Sequence, residues 1–533
     1  MVSSALEVAH AHSSGRCFEH LNDMLINALR TYRDTVLLHS AEGQQFTGGA
    51  IELEIARYQA VLEALGVSLG IRVALLAGNS VEVLFVQQAI GLLGGVFTPL
   101  HPLGSPSDFA YMLADAQVHI VIVDKEREKE IAKAIELSGS TARVLTFGGG
   151  DDCDLILLAK GQKANSVVAR PIDPEAICRI IYTGGTTGVS KAAQASFRAM
   201  STMYGIELND WQWPETIRLL LVAPLSHSGA VCFTPTIAQG GSLFVERGFD
   251  VARVLSAIER HRITCMLMVP TMIGAVLDHP RLHEFDVSSL ETVFYGASPI
   301  SPARLRAAIR HFGPIFFQFY GQAEAITTVT VMRREEHDLS SDRRLASCGR
   351  PVREAAIRLL DAEGHEVPDG EPGELCVRGP LLMSGYLNKP EETAEALRGG
   401  WLHTGDIAVR DGDGFLRLVD RAKDLVITGG FNVYPRAVED VLETHPAVAT
   451  ASVFGIPDDH WGEIVVAAVV LRDKNANASD LVAYVRERKG PVQTPKRIEI
   501  LDRIPLTAVG KPDKKELRRM FSPVGQSKQR KDK

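Results

Sequence analysis

The stretch Ile181-Tyr-Thr-Gly-Gly-Thr-Thr-Gly-Val-Ser-Lys191 decides how the chain is read. Its eleven residues hold three glycines, three threonines and a terminal lysine, and they follow the apolar run Ala176 to Tyr182, which predicts a strand. Glycines let backbone N–H groups turn toward a ligand with no Cβ in the way. Threonine hydroxyls add donors and Lys191 adds charge, so the stretch reads as a cradle for a polyphosphate. It lacks the glycine–lysine–serine/threonine ending of a Walker A loop.

Outward from the loop, the chain alternates strand and helix. Residues 71–77 read as a buried strand stopped by Gly78-Asn79, and a helical pattern runs from Val81 to Leu93. Short strands are expected at Val96–Pro99 and His119–Val123, then a charged helix from Lys125 to Leu137. Further strands are expected at Leu219–Ala223, Ser242–Val245, Cys265–Met268, Thr292–Tyr295 and Ile315–Tyr320. Such alternation predicts parallel sheets covered by helices. After residue 350 short apolar runs are separated by Asp/Gly turns such as Asp361-Ala-Glu-Gly364 and Asp411-Gly-Asp-Gly414, which is antiparallel chemistry. From about Ala422, helices (Ala437–Thr444, Ser479–Arg488) mix with strands (Ala451–Gly455, Ile464–Leu471), as in a small α+β domain.

The 533 residues suffice for two or more domains. A net charge of −8 argues against a general nucleic-acid binder. Seven scattered cysteines with no C-x-x-C pair point to reduced thiols and no zinc site, hence to the cytoplasm. The first residues carry no basic, apolar leader pattern. The longest apolar stretch, Ala89 to Leu100, is about half of what a bilayer needs, so no integral membrane association is expected.

Four more stretches carry chemistry. Gln318-Phe-Tyr-Gly-Gln-Ala-Glu324 sets a carboxylate on a strand-end loop, where it can hold a metal on a nucleotide. Trp401-Leu-His-Thr-Gly-Asp406 reads as a turn ending in an acid able to accept from ribose hydroxyls. Asp420-Arg-Ala-Lys-Asp-Leu-Val-Ile-Thr-Gly-Gly-Phe-Asn-Val-Tyr-Pro435 and Pro505-Leu-Thr-Ala-Val-Gly-Lys511 complete the set.

In this order and spacing the five motifs resemble the adenylate-forming superfamily of acyl-CoA synthetases, firefly luciferase and nonribosomal-peptide adenylation domains. The resemblance runs from about residue 40 to 520 and extends to Gly349-Arg-Pro351, Gly373-Glu-Leu375 and Gly385-Tyr-Leu-Asn-Lys-Pro390. It implies an α/β fold, with a large N-terminal domain of parallel-type sheets covered by helices plus a small β-barrel-like part. A small mobile α+β C-terminal domain follows, with the division at 1–421 and 422–533. It also implies a two-step ligase using ATP, Mg²⁺ and coenzyme A on a small-molecule carboxylic acid, fatty or aryl, and it leaves a homodimer open.

Residue by residue, the resemblance gives Thr183, Gly185, Thr186, Thr187, Gly188 and Lys191 to the phosphates and Glu324 to Mg²⁺. Asp406 and Arg421 go to the ribose. Gly296, Ala297, Ser298, Tyr320 and Gly321 go to the adenine site. Lys511 would bridge carboxylate and α-phosphate, and His227, in Pro224-Leu-Ser-His-Ser-Gly229, would stand beside the carboxylate. Lys423 matches the hinge, and Gly429 and Gly430 match the pantetheine path. No aspartate stands between Leu219 and Thr236, where amino-acid-activating members carry one, which argues against an α-amino acid substrate. Gly184 and Ser190 stand where serine and proline are commoner, and Ala192-Ala193 replaces glycine–valine. Two readings stay open: delivery of the adenylate to a carrier-protein thiol or to oxygen, and a phosphate-loop ATPase. The acid pocket is expected around His227, Gly229, Thr271, Gly296 and residues 325–329.

Overall fold

The computed structural model describes residues 20–183, 190–421, 424–428, 431–458, 461–473, 476–507 and 512–522. Its first part is built on two large sheets. One has seven strands, with Arg72–Leu76 paired in parallel to Val96–Pro99 and to Ile120–Asp124. The other has nine, with Cys265–Met268 and Thr292–Tyr295 at its centre.

The strands are apolar on consecutive residues because both sheet faces are covered. Side chains alternate between faces. Leu219 and Leu221 enter the core that joins the two sheets, whereas Leu220 and Val222 enter the outer core of the nine-stranded sheet. Val73 and Leu75 also face the shared core, and Ala74 and Leu76 face outward under the helices Pro106–Asp115 and Glu128–Ser138. The helix Val81–Leu92 is buried over most of its surface, as its mainly apolar sequence requires. The result is a layered α/β body with the sheets' carboxyl ends turned toward the connecting loops.

Three sequence expectations shift. Both sheets end in antiparallel strands: Lys191–Ser196 runs against Ile177–Thr183, and Ala325–Met332 against Phe316–Gln322. Each is a hairpin return, for which a short loop is enough. The charged segment after Asp124 opens as a 3₁₀ turn, Lys125–Arg127, and becomes α-helical at Glu128. Asp406 lies inside the strand Leu402–Arg410 and not in an open turn; Gly405, at φ 70°, bends that strand just before it.

The antiparallel part is a sheet of four strands, ending in Leu416–Arg421. A separate five-stranded sheet follows, with its own core on each face: Val453, Val465 and Ala467 on one, Phe454, Val466 and Ala468 on the other. The backbone N–H of Arg436 donates to Asp420 Oδ2 at 3.0 Å, tying the helix Pro435–Glu443 to the end of the preceding sheet. Among the described residues no helix is long and apolar enough to cross a membrane.

Candidate active site

Thr183 ends its strand directly opposite Lys191, and its hydroxyl donates to the Lys191 carbonyl at 3.2 Å. The loop between them thus leaves and re-enters one hairpin. Gly185, Thr186, Thr187 and Gly188 lie outside the described residues, as do Lys423, Gly429, Gly430 and Lys511.

Lys191 and Glu324 are brought together by a third residue. The short strand Gly385–Tyr386 pairs with Gln194 and Ala193 on the far side of the hairpin. The Lys191 ammonium stands 5.0 Å from the centre of the Tyr386 ring, a cation–π distance. The Tyr386 hydroxyl donates to Glu324 Oε1 at 2.9 Å. Glu324 occupies the tight turn between Gln322 and Ala325, and its carbonyl accepts from Met383 N–H at 2.9 Å. Burial and the Glu324 carboxylate push the Tyr386 phenol pKa up, so it stays a donor. Cation, phenol and carboxylate form one row. Tyr386 was legible only as part of the Gly-Tyr-Leu-Asn-Lys-Pro segment; nothing in its spacing announced a contact with Glu324.

A second cluster adjoins the first through the same strand. The Tyr320 hydroxyl donates to Asp406 Oδ2 at 2.6 Å, and Asp406 is opposite Arg421 in its sheet. Burial, then the Asp406 charge, raise the Tyr320 pKa far above its ordinary value. Gly405 N–H donates to Glu374 Oε1 at 3.1 Å, and Glu374 Oε2 lies 2.7 Å from His403 Nδ1. Thr404 Oγ1 accepts from Asp406 N–H at 3.1 Å and donates to the Leu375 carbonyl at 2.6 Å. Asp406 is therefore fixed from both sides of its strand. Glu374, Cys376 and His403 could together offer three ligands to a metal, though the Arg398 guanidinium already lies 3.2 Å from Glu374.

Glycine is needed here for close approach. A Cβ on Gly296 would sit 2.3 Å from the Phe319 carbonyl oxygen, and one on Gly321 2.3 Å from that of Thr327. The Gly296-Ala297-Ser298 segment can thus lie against the strand that carries Tyr320, with Ala297 at φ 65°.

His227 lies in a third, drier cluster. Its Nδ1 is 2.9 Å from Ser226 Oγ, and its ring meets His101 edge-on at 4.8 Å. Arg179 donates to the Ser226 carbonyl at 2.9 Å, and its guanidinium lies 5.2 Å from the Phe97 ring centre. Burial, then His101 and Arg179, pull the His227 pKa down to about 3, so the imidazole is neutral near pH 7. Asn79 clamps the segment, donating to the Ala223 carbonyl and accepting from Leu225 N–H, both at 2.9 Å. Arg179 and His101 escaped the sequence reading. The one available signal was a charge at Arg179 inside an otherwise apolar strand.

Known proteins match this chain over most of its length. Residues 26–387 match the family described as AMP-binding enzyme, and residues 437–511 match the AMP-binding enzyme C-terminal domain. The chain is 45% identical over 519 residues to the medium/long-chain-fatty-acid–CoA ligase FadD8 of Mycobacterium tuberculosis, covering 94% of this chain and 90% of that one. It is 36% identical to a feruloyl-CoA synthase of an Amycolatopsis species, covering 90% and 94% respectively. Among solved structures, the amide bond synthetase McbA from Marinactinospora thermotolerans superposes with a TM-score of 0.85 at 32% identity, over 94% of this chain and 99% of that one.

Proposed function

The chain belongs to the AMP-binding enzyme family, and on that premise we propose how its residues divide the work. It is an AMP-forming acyl-CoA ligase: it joins a carboxylic acid to AMP at the expense of ATP, then passes the acyl group to CoA. The acid is fatty or aryl, as the names of the fatty-acid and feruloyl relatives suggest.

The observation that carries the site reading is the row Lys191–Tyr386–Glu324. Step one brings a carboxylate against a polyphosphate. Two such charges near 4 Å repel by about 4 kcal/mol at an effective dielectric of 20. Lys191 offsets the phosphate charge, with Thr183 and the glycines and threonines of the loop as donors around it. Glu324 fits Mg²⁺: it is a hard oxygen ligand, half-buried, with one oxygen anchored by Tyr386. When bound, the ion would neutralise phosphate charge as it shifts toward the leaving pyrophosphate. Lys511 bridges the carboxylate and the α-phosphate.

Asp406, aligned by Tyr320, accepts from the ribose hydroxyls, with Arg421 beside it. Gly296, Ala297, Ser298 and Gly321 leave a backbone-lined slot for adenine. His227, kept neutral, orients the acid without adding charge to a dry site.

The body comprises residues 1–421 and the small domain 422–533, which turns about Lys423 between the steps. It brings Lys511 to the site first and the Gly429-Gly430 segment, for pantetheine, second. The protein works in the cytoplasm on small molecules, without nucleic acid, as a monomer or homodimer.

The test is product analysis over a panel of carboxylic acids. AMP and pyrophosphate should appear only when Mg²⁺, ATP and acid are all present, with acyl-CoA formed on adding CoA. ADP and orthophosphate as main products would overturn the reading. Acyl transfer to an amine but not to CoA would move the chain toward the McbA-like acceptor class.

A further inference from the structure

One helix outside the reacting groups carries both ends of the phosphate loop. The helix Pro106–Asp115 is closed at its start by a reciprocal pair: Ser105 Oγ accepts from Asp108 N–H at 3.2 Å, and Asp108 Oδ2 accepts from Ser105 N–H at 2.9 Å. Phe109, Ala110 and Leu113 enter one core with Ile180 and Ala192, which come from the two strands of the loop's hairpin. Tyr111 and Asp115, four residues apart, share another face of the same helix.

That face meets the loop at its entrance and at its exit. The Tyr182 hydroxyl, one residue before Thr183, donates to Asp115 Oδ2 at 2.8 Å. The Tyr111 hydroxyl donates to the Ser190 carbonyl at 3.1 Å, one residue before Lys191. The two phenol rings meet edge-on, with 6.0 Å between centres. Burial, then Asp115, raise both phenol pKa values, so each hydroxyl keeps its proton to donate. Asp115 has a second role: Asn388 Nδ2 donates to its Oδ1 at 3.3 Å and to its carbonyl at 3.0 Å. Asn388 lies two residues after Tyr386, at φ 56°, a left-handed conformation that asparagine accepts more readily than most residues. One carboxyl group thus joins the loop entrance to the segment whose Tyr386 reaches both Lys191 and Glu324.

We propose that Tyr111 and Asp115 are positioning residues for ATP: they hold both ends of the phosphate loop in place, and against the Tyr386 segment, before the nucleotide arrives. The proposal rests on the ligase reading above. A glycine-rich loop loses much conformational freedom when it closes on a ligand. Fixing its ends in advance lowers that loss and strengthens binding with no new contact to the ligand. The exit needs such help here. Proline, commoner at this position, would restrict it through a fixed φ, whereas Ser190 does not. The Tyr111 hydroxyl supplies the restraint from outside the loop.

The experiment uses the full-length enzyme with an acid that it turns over. The readouts are KM for ATP, KM for the acid, and thioester formation from supplied acyl-adenylate, which brings no pyrophosphate for the loop to hold. Tyr111→Phe should raise the ATP KM about fivefold, and Asp115→Ala, which removes both side-chain bonds, about tenfold or more. The acid KM and the supplied-adenylate step should stay within about twofold, which a merely structural role would not allow. Adding Ser190→Pro to Tyr111→Phe should return the ATP KM to within about twofold of Ser190→Pro alone, because the proline then restrains the exit. An ATP KM unchanged in both single variants, an equal loss in the supplied-adenylate step, or a full fivefold effect persisting beside Ser190→Pro would overturn the proposal. Should Asp115→Ala fail to fold, Tyr111→Phe and the double variant decide. If wild type yields no AMP with any acid, the ligase reading fails. Calorimetric binding of Mg-ATP to wild type and Tyr111→Phe then decides: weaker binding by the variant supports the positioning role, and equal affinity overturns it.

Discussion

The proposed nucleotide rim and the proposed acid pocket handle polar groups in opposite ways. At the rim, Lys191, Glu324 and Asp406 are each held by an aromatic ring or phenol: Tyr386 for the first two, Tyr320 for the third. Around His227, burial keeps the imidazole neutral near pH 7, and the Arg179 guanidinium donates to a backbone carbonyl. A polyphosphate brings several charges that must be met by charge. The acid's carbon skeleton brings almost none, so the pocket gains by being dry. The difference suits one enzyme that must hold ATP through electrostatics and its second substrate through shape and a few neutral contacts.

Breaking the rim should cost most. Lys511→Ala is expected to lower acid-dependent pyrophosphate exchange by about a thousandfold, the range seen when a group aimed at developing charge is removed. Thioester formation from supplied acyl-adenylate should fall far less. Equal losses in both steps would give Lys511 a broader role.

Lys423→Pro separates the steps from the other direction. Proline fixes φ and restricts Ala422 before it, so a hinge there would lose its freedom. Pyrophosphate exchange should survive while acyl-CoA formation falls by about a hundredfold, a rough figure for losing a required conformational step. A folded Lys423→Pro enzyme making acyl-CoA at the wild-type rate would rule out the turning domain.

Tyr386→Phe sharpens the comparison at the rim. The ring remains beside Lys191, but the hydrogen bond to Glu324 is lost. A bond to a charged group contributes about 1.5–3 kcal/mol, so the Mg²⁺ concentration for half-maximal rate should rise about tenfold or more. An unchanged Mg²⁺ dependence would separate Glu324 from the ion.

The smallest effect is in the pocket and appears in stability. His227 has its folded pKa, about 3, below the ordinary value of 6.5. The unfolded chain therefore binds the proton first, and stability is lost as pH falls below about 6.5, until the folded histidine itself titrates near 3. From pH 7 to pH 5 that loss is about 2 kcal/mol, at 1.36 kcal/mol per unit. Denaturant unfolding at the two pH values should show His227→Gln losing less than wild type by roughly that amount. Equal losses would mean that His227 is solvated or partnered in solution.

Much of this was readable before any fold was known. The strands Ser242–Val245, Cys265–Met268 and Thr292–Tyr295 agree with the apolar runs that predicted them, because a strand covered on both faces has no reason to alternate. The motifs around Lys191, Glu324 and Asp406 were legible because backbone demands are local: glycine where chains approach, an acid at a strand end. The antiparallel returns at Lys191–Ser196 and Ala325–Met332 were not, since a strand's composition does not state its direction.

Sequence by itself determined the family and the succession of strands and helices along the chain, which depend on short-range spacing. Tertiary structure alone decided who meets whom. Tyr386 reaches Glu324 across sixty-two positions, and Tyr320 reaches Asp406 across eighty-six. It also decided which ionisable groups would be neutral. Glu207, on the helix Phe197–Asp210, looks like any helix-surface acid in the sequence. Only the packing around it removes the water that would have kept it charged.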